Sequence, residues 1–589
     1  MSKDQRKSRK DIENKEDNKD VKSSKSRNKS TRNNKGNGGS SKNNTPKRKG
    51  TGKVQPKKDE RDKSKTPVQN KEENKSDNPV TENDKKRTNH WSWYAADEHI
   101  LRDSASFSYN TPIGVNVDWG LPTGYKLNSR LKTLPGVMVL PYLPVPGEAN
   151  GDRTDAVNIA AQNLYTYVRH VNSGSRNYEP ADLMMYVLAM DGIYCGLEYI
   201  RRAYGIERVY SMKNRYLGQY LNKVSGVSDM TTQLVNYRTM YNLMVKRIGA
   251  LCVPNSFPIL KRHSWMTSMI FADAQTAKAQ LYVYRPYALP KWSPRTSETG
   301  SSLQYVTLQG STISDFEEVL TDMLDAILSD EDCGVMSGDI LKAFGDSGVI
   351  KLESLSEDYT VEPVVDYSVL SQIQNTVTVP LVMDAGGPIV VQVSDTTGLA
   401  SYIQFSFPLN SSTCIGGSSG LANAIPSDYD INKILTVYTE VPEPKDTMVA
   451  SRNMVTIQSE HGNTFDSADF IFGTELFAGL EIYTDPSDST LATAIRAQSI
   501  IRVELNQTNT TNLFNLASLH TKFACAPSIY VFATSTAEAS TFYQLIGDLD
   551  NYTIIAPVNM RNMHTAATLN EYSVPLMGAF SNKTGKGLS

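Results

Sequence analysis

Apolar and polar positions alternate in three distinct ways along this chain. Over residues 1–90 the only large apolar residues are Met1, Ile12, Val21, Val54, Val68 and Val80, with no Phe, Trp, Tyr or Leu. So little apolar surface cannot offset an ordering cost of roughly 1–2 kcal/mol per residue, so the stretch is predicted to be disordered. Three aromatics, Trp91, Trp93 and Tyr94, then arrive within four positions. Residues 105–150 are punctuated by Gly and Pro, which predicts extended segments and turns. From Asp155 the apolar residues Val157, Ala160, Ala161, Leu164, Val168 and Val171 fall at helical spacing. A second helix is predicted from Pro180 to about Gly205, apolar nearly all round and therefore central to a helical domain. Two more are expected at about 207–223 and 229–250.

From about residue 276 the period changes. The runs "AQLYVYRPY", "LQYVTL", "IVVQVS", "YIQFSF", "ILTVYTEV" and "LEIYT" are short and β-like, separated by Ser, Thr, Gly and Asp clusters. Two or three acidic helices interrupt them, notably 314–328 behind a Ser cap, and helical periodicity returns at about 489–504 and 558–572. The resulting plan is a disordered arm (1–90) and a predominantly α-helical body built from 91–275 and 485–589. A mixed α/β or β-rich insertion (276–484) lies between.

Charge sharpens that plan. Residues 1–90 carry 28 Lys/Arg against 14 Asp/Glu, residues 91–270 carry 18 against 13, and residues 271–589 carry 15 against 36, within a net charge of −2. Thirteen cations (Lys22, Lys25, Arg27, Lys29, Arg32, Lys35, Lys42, Lys47, Arg48, Lys49, Lys53, Lys57 and Lys58) lie between Val21 and Lys58 without one acidic residue. No Lys or Arg occurs between Lys351 and Lys433. Such asymmetry predicts a tail for a polyanion and an acidic surface facing elsewhere. Without aromatics, the tail suits phosphate neutralisation and not base reading. Thirteen phosphate contacts would give a log–log salt slope of about −9 to −12. A coil of this length spans on the order of 50 Å. A solubilising tail, or a localisation signal in "PKRKG", is the alternative reading.

Candidate chemistry is sparse. The five cysteines (Cys195, Cys252, Cys333, Cys414 and Cys525) are dispersed, as buried free thiols in a reducing compartment are. The charged N-terminus lacks a signal-peptide core, and the most apolar run, 183–200, carries Asp191 and Glu198. A soluble, cytosolically made, non-spanning protein is therefore expected. "GGSSG" around Ser418 and "GDSG" at 345–348 imitate serine-nucleophile motifs but read as loops. Among seven histidines His90 and His99 lie near the acidic Asp97 and Glu98, and none has metal-ligand spacing. No phosphate-cradling or dinucleotide fingerprint is present. The motif content points away from an enzyme and implies no metal, no cofactor and no small-molecule substrate. Thirty Tyr against 16 Phe fits either an extensive wet interface or a Tyr-rich core.

The runs "NVDWGLPTGYKLNSRLKTLPGVMVLPYLPVPG", "AAQNLYTYVRHVNSGSRNYEPADLMMYVLAMDGIYCGLEYIRRAYG" and "SWMTSMIFADAQTAKAQLYVY" resemble the capsid protein of picobirnaviruses, which have a bisegmented double-stranded RNA genome. The likeness covers roughly residues 91–290, and the arm matches in composition only. It implies a helical shell domain (91–275 and 485–589), a projecting domain (276–484), and symmetric dimers assembling in host cytoplasm into one icosahedral virion shell. It further implies an interior arm contacting packaged RNA, and in some members its removal by self-cleavage. The flexible stretch 61–71, with Lys63, Lys65 and Thr66, is the expected cleavage region. A viral polymerase inside and a host receptor or membrane outside are the remaining implied partners. Trp91, Trp93 and Tyr94 would anchor the arm where it joins the wall. Two other classes fit the residues: a non-viral RNA-organising oligomer, and a surface adhesin, against which the missing secretion signal counts.

Overall fold

The computed structural model describes residues 94, 97–104 and, with gaps, 136–574; the longest gaps are 209–216, 409–433, 460–467, 484–493 and 505–512. The chain divides into two units, Met1–Ser104 and Ala105–Ser589. In the first, helix α1 (Glu98–Ser104) carries an exposed i,i+4 pair, Arg102 donating to Glu98 at 2.7 Å.

The second unit is organised around β1 (Val137–Pro144), whose eight residues are all buried, as expected of a strand covered on both faces. Its alternation sends Met138, Leu140 and Tyr142 into one apolar cluster and Val137 and Val139 into another. A long helical crossover joins it to the parallel strand β3 (Leu281–Pro286), registered from Val137↔Leu281 to Tyr142↔Pro286, with β2 (Phe271–Ala272) beyond. On the other edge β11 (Glu475–Phe477) and β12 (Leu480–Tyr483) pair antiparallel with β1, and β13 (Ala494–Ala497) follows.

The crossover contains α2 (Ala156–Val171), α3 (Pro180–Glu207), α4 (Leu217–Ser225), α5 (Met230–Ile248) and α6 (Pro258–Ser268). Pro180 occupies the first turn of α3, and Glu179 and Asp182 form a reciprocal capping box. Nearly every residue of α3 is buried, because α2, α5, α6 and the strand β4 (Ala288–Ser293) cover it on all sides. Gly192 and Gly196 permit the closest approach. A Cβ at Gly192 would lie 2.9 Å from the Pro290 carbonyl oxygen. Strand β4 leads an antiparallel sheet with β5 (Ser302–Thr307), β6 (Ile389–Val393) and β7 (Tyr402–Ser406).

Helices α7 (Ile313–Leu328), α8 (Glu331–Phe344), α9 (Tyr367–Gln374), α10 (Pro444–Ala450) and α11 (Pro557–Glu571) follow. Thr312, not a serine, caps α7, in a box with Asp315. The remaining strands are the ribbon β8 (Ile434–Thr436) with β17 (Tyr552–Ile554), the hairpin β9 (Thr456–Ser459) with β10 (Ala468–Ile471), and β14 (Ile500–Glu504) with β15 (Ile529–Ser535) and β16 (Glu538–Ile546).

The architecture is mixed α and β. The sequence pattern does not predict α6; of the helix expected at about 207–223, α4 is the described part after residues 209–216, which lie outside the described residues. The helix expected at about 489–504 is a correction: its described part forms β13 and β14. Ile495, Ile500, Ile501 and Val503 are β-branched, and pairing with β12 and β15 overrides the local periodicity. Elements from 276–484 also take central places, since β3, β11 and β12 flank β1. The tyrosines divide: Tyr142, Tyr186, Tyr204, Tyr237, Tyr241, Tyr282 and Tyr284 are core, whereas Tyr367, Tyr438 and Tyr552 are exposed.

Candidate functional site

The thirteen arm cations from Lys22 to Lys58, the cleavage-region residues Lys63, Lys65 and Thr66, and the anchor residues Trp91 and Trp93 lie outside the described residues. Tyr94 is 74% exposed within its unit. His90 and Ser418 are likewise outside the described residues. The His99 backbone N–H donates to Asp97 Oδ1 at 2.7 Å in the first turn of α1. The "GDSG" motif forms an exposed 3-10 turn, Asp346–Gly348, which is the loop its sequence suggested.

The described surface carries an acidic tract. Glu317, Glu318, Asp322 and Asp325 line the outer side of α7, followed by Glu331, Asp332, Asp346, Glu353, Glu357, Asp358 and Glu362, all exposed. Arg247 bonds Asp325 and Lys291 reaches Asp322 at 2.5 Å, yet few cations answer the remainder. The inner side of α7 (Phe316, Leu320, Met323, Leu324, Ile327) is buried against the helical core. The amphipathic period therefore fixes which way the negative charge points.

Spacing in the sequence did not reveal a buried polar cluster where α3, α6, β1 and β11 meet. His263 on α6 places Nδ1 2.5 Å from Asp191 Oδ2 on α3, and its Nε2 lies 3.5 Å from Glu475 Oε1 on β11. Arg262 bonds Glu475 on the same strand and donates from Nη2 to Asn453 Oδ1 at 3.1 Å. Tyr142 on β1 has its hydroxyl 2.6 Å from Thr267 Oγ1, which in turn donates to the His263 carbonyl at 2.7 Å. Asp191, His263 and Thr267 are closed to solvent. Burial by itself pushes the His263 imidazole down; the Asp191 carboxylate, with Glu475 behind it, outweighs this and raises it to about 10. Burial works against the Glu475 carboxylate, but Arg262 and then His263 hold it well below its ordinary range. The cluster is thus a chain of opposite charges joining two helices to the central sheet.

Cys195 sits one turn along α3 from Asp191, and the ligand atoms of Asp191, Cys195 and His263 lie within 4.8 Å of one another. Such a set could be read as a metal site or as a nucleophile with its base. As a nucleophile the thiol is quenched: burial, reinforced by Asp191, pushes the Cys195 thiol well up, so it stays protonated. The His263 Nδ1 is engaged by Asp191, and that pair ties α6 to α3.

A second buried histidine has the opposite sign. His564 on α11 is buried, with both ring nitrogens closed to solvent. Burial, then the nearby Arg452, lowers it to about 3, so it is neutral at neutral pH.

The model of the picobirnavirus capsid protein family matches residues 93–402, beginning inside the aromatic cluster. A capsid protein precursor from human picobirnavirus (strain Human/Thailand/Hy005102/-) is 29% identical over 521 residues, 82% of this chain and 91% of that protein. The crystal structure of the picobirnavirus capsid superposes with a TM-score of 0.65 at 25% identity, covering 84% of this chain and 100% of that one. A match over half the chain by the family model, with the same fold over 84% of it, assigns this protein to the picobirnavirus capsid protein family.

Proposed function

We propose that this viral capsid protein assembles through symmetric dimers into one closed icosahedral shell around double-stranded RNA, with residues 1–90 inside as a sequence-indifferent phosphate binder. The observation that carries this reading is the fold match to the picobirnavirus capsid over the whole of that chain, joined here to an arm of 28 Lys/Arg and 14 Asp/Glu. Packaged RNA is a dense polyanion. Cations that displace its counterions bind it without reading bases. Acidic side chains are best kept away from it, which assigns the tract from Glu317 to Glu362 to the outer, projecting side. Trp91, Trp93 and Tyr94 form the anchor at which the arm joins the wall.

The name of the human relative, a precursor, supports processing of the arm, and we place it in the polar stretch 61–71 around Lys63, Lys65 and Thr66. A polymerase enclosed with the RNA, and a host receptor or membrane met by the outer surface, complete the partners of this reading. Self-assembly needs no cofactor.

Expression of the full chain, followed by sizing, negative-stain microscopy and nuclease treatment, tests the reading. Uniform closed particles holding nuclease-protected RNA are expected, and deletion of residues 1–58 should reduce the protected RNA while particles still form. Monomers or open aggregates under all conditions would refute the shell. Unchanged RNA in the deleted particle would refute the role of the arm.

A further inference from the structure

The ribbon β8–β17 has two edges, and they are treated differently. Val437 N–H donates to the Asn551 carbonyl, and the register runs Tyr552↔Thr436, Thr553↔Leu435, Ile554↔Ile434. In an antiparallel pair, outward- and inward-facing residues alternate. Thr436 therefore turns its backbone to the outer side of β8, while Tyr552 and Ile554 turn theirs to the outer side of β17. On the β8 side the Asn375 side chain closes the edge, its Oδ1 accepting from Thr436 N at 2.9 Å and its Nδ2 donating to Thr436 O at 2.7 Å. On the β17 side no described residue pairs with the strand. Asn551 fixes the approach, with φ at 46° and its side-chain amide bonded to the Thr439 carbonyl.

The open edge is also apolar: Tyr552 is 57% exposed and Ile554 70%, and Val558, 66% exposed, follows four residues later. Edge strands are normally guarded by a Lys, a Pro or a bulge. Tyr552–Ile554 has none of these. A three-residue edge is smaller than a usual interface, about 800 Å² per partner, and the surrounding side chains extend it.

We propose that this edge is a two-fold contact with a second copy of the chain, in which β17 pairs antiparallel with its own counterpart to make a continuous β8–β17–β17–β8 sheet. The inference rests on the reading that the chain self-assembles, and adds the surface on which it does so. Charge selects the occupant. At a two-fold axis each residue meets its own neighbourhood, so a charge there would face its like. The stretch 551–560 ("NYTIIAPVNM") contains no charged residue, though Asp550 and Arg561 bound it. With Tyr552 and Ile554 bonding outward, Thr553 falls on the axis as a non-hydrogen-bonded pair, its Cα roughly 4.5 Å from that of the partner copy.

That spacing is compatible with a disulfide, so the test is cross-linking in the full chain. T553C should give a covalent dimer on mild oxidation of assembled material, whereas the parent chain and V235C, on an exposed face of α5, should not. I554K should keep its fold by circular dichroism and weaken association by about tenfold or more, because two ammonium groups would meet beside the axis. A parent that assembles while T553C stays uncross-linked, or I554K associating like the parent, overturns this contact and leaves self-assembly standing. A parent chain that remains monomeric overturns both.

Discussion

The His263 imidazole and the Asp191 carboxylate meet at 2.5 Å with both side chains closed to solvent. One hydrogen-bonded charge pair thereby joins α6 to the middle of α3, and through Glu475 and Arg262 reaches the central sheet. Buried pairs of this kind are costly to break and cheap to replace as a unit. His263→Ala should lower unfolding stability by about 3–5 kcal/mol, since it leaves Asp191 charged and alone. The double change Asp191→Leu with His263→Leu should cost markedly less. Denaturant melts of the three chains check this, and a double variant no better than the single one counts against the pair acting as a unit.

The two buried histidines set opposite edges on the pH profile. His263 is raised to about 10. Its contribution is therefore complete below an unfolded value near 6.5 and is lost as pH climbs through about 10. His564 is lowered to about 3. The unfolded chain takes up this proton first, so stability falls as pH drops from about 6.5 towards 3. Lowering of Glu475 adds to the acid edge, its contribution being present above its unfolded value and lost below it. Melting temperature against pH should peak near pH 6–7. His564→Gln should flatten the acid limb and leave the alkaline limb unchanged.

Two helical glycines should respond in opposite directions to alanine. At Gly192 the new Cβ would come within 2.8 Å of the Pro290 ring and 2.9 Å of its carbonyl oxygen. Gly192→Ala should therefore destabilise by about 1–3 kcal/mol. Gly334 on α8 has nothing within 4 Å of such a Cβ. Gly334→Ala should stabilise by about 0.5–1 kcal/mol through higher helix propensity. Thermal unfolding of the two variants distinguishes them, and equal effects would show that packing around α3 is looser than described.

Thiol reactivity should follow burial. Cys195, Cys333 and Cys525 are buried and Cys252 is half-buried; burial pushes the Cys525 thiol up to about 12 and the Cys195 thiol well up. In a Cys414→Ser background, a maleimide should label Cys252 first and the other three only on unfolding. Peptide mapping by mass spectrometry reads the order.

The aromatic anchor makes a separable claim. Trp91→Ala with Trp93→Ala should reduce particle yield while the soluble full chain still binds RNA with a steep salt dependence, its log–log slope about −9 to −12. Normal particle yield from the double variant would remove the anchor.

Family membership sets aside the adhesin and the non-viral RNA organiser that the residues had left open. What the sequence determined alone was local and compositional. The apolar-all-round pattern of 180–205 placed α3 in the interior, because a helix without a polar face must be covered on every side. Acidic residues on one face of 313–328 likewise set which side of α7 is wet. Long-range pairing decided the rest. Residues 494–504 looked helical until β12 and β15 lay beside them, because strand pairing depends on residues far along the chain. Asp191, His263 and Glu475 are 72 and 212 positions apart in succession, so no spacing rule could gather them; only the folding of α6 and β11 onto α3 does. The same holds for the ribbon edge: "YTI" is an ordinary strand in the sequence, and in the tertiary structure no described residue pairs with its outer side, whereas Asn375 closes the other.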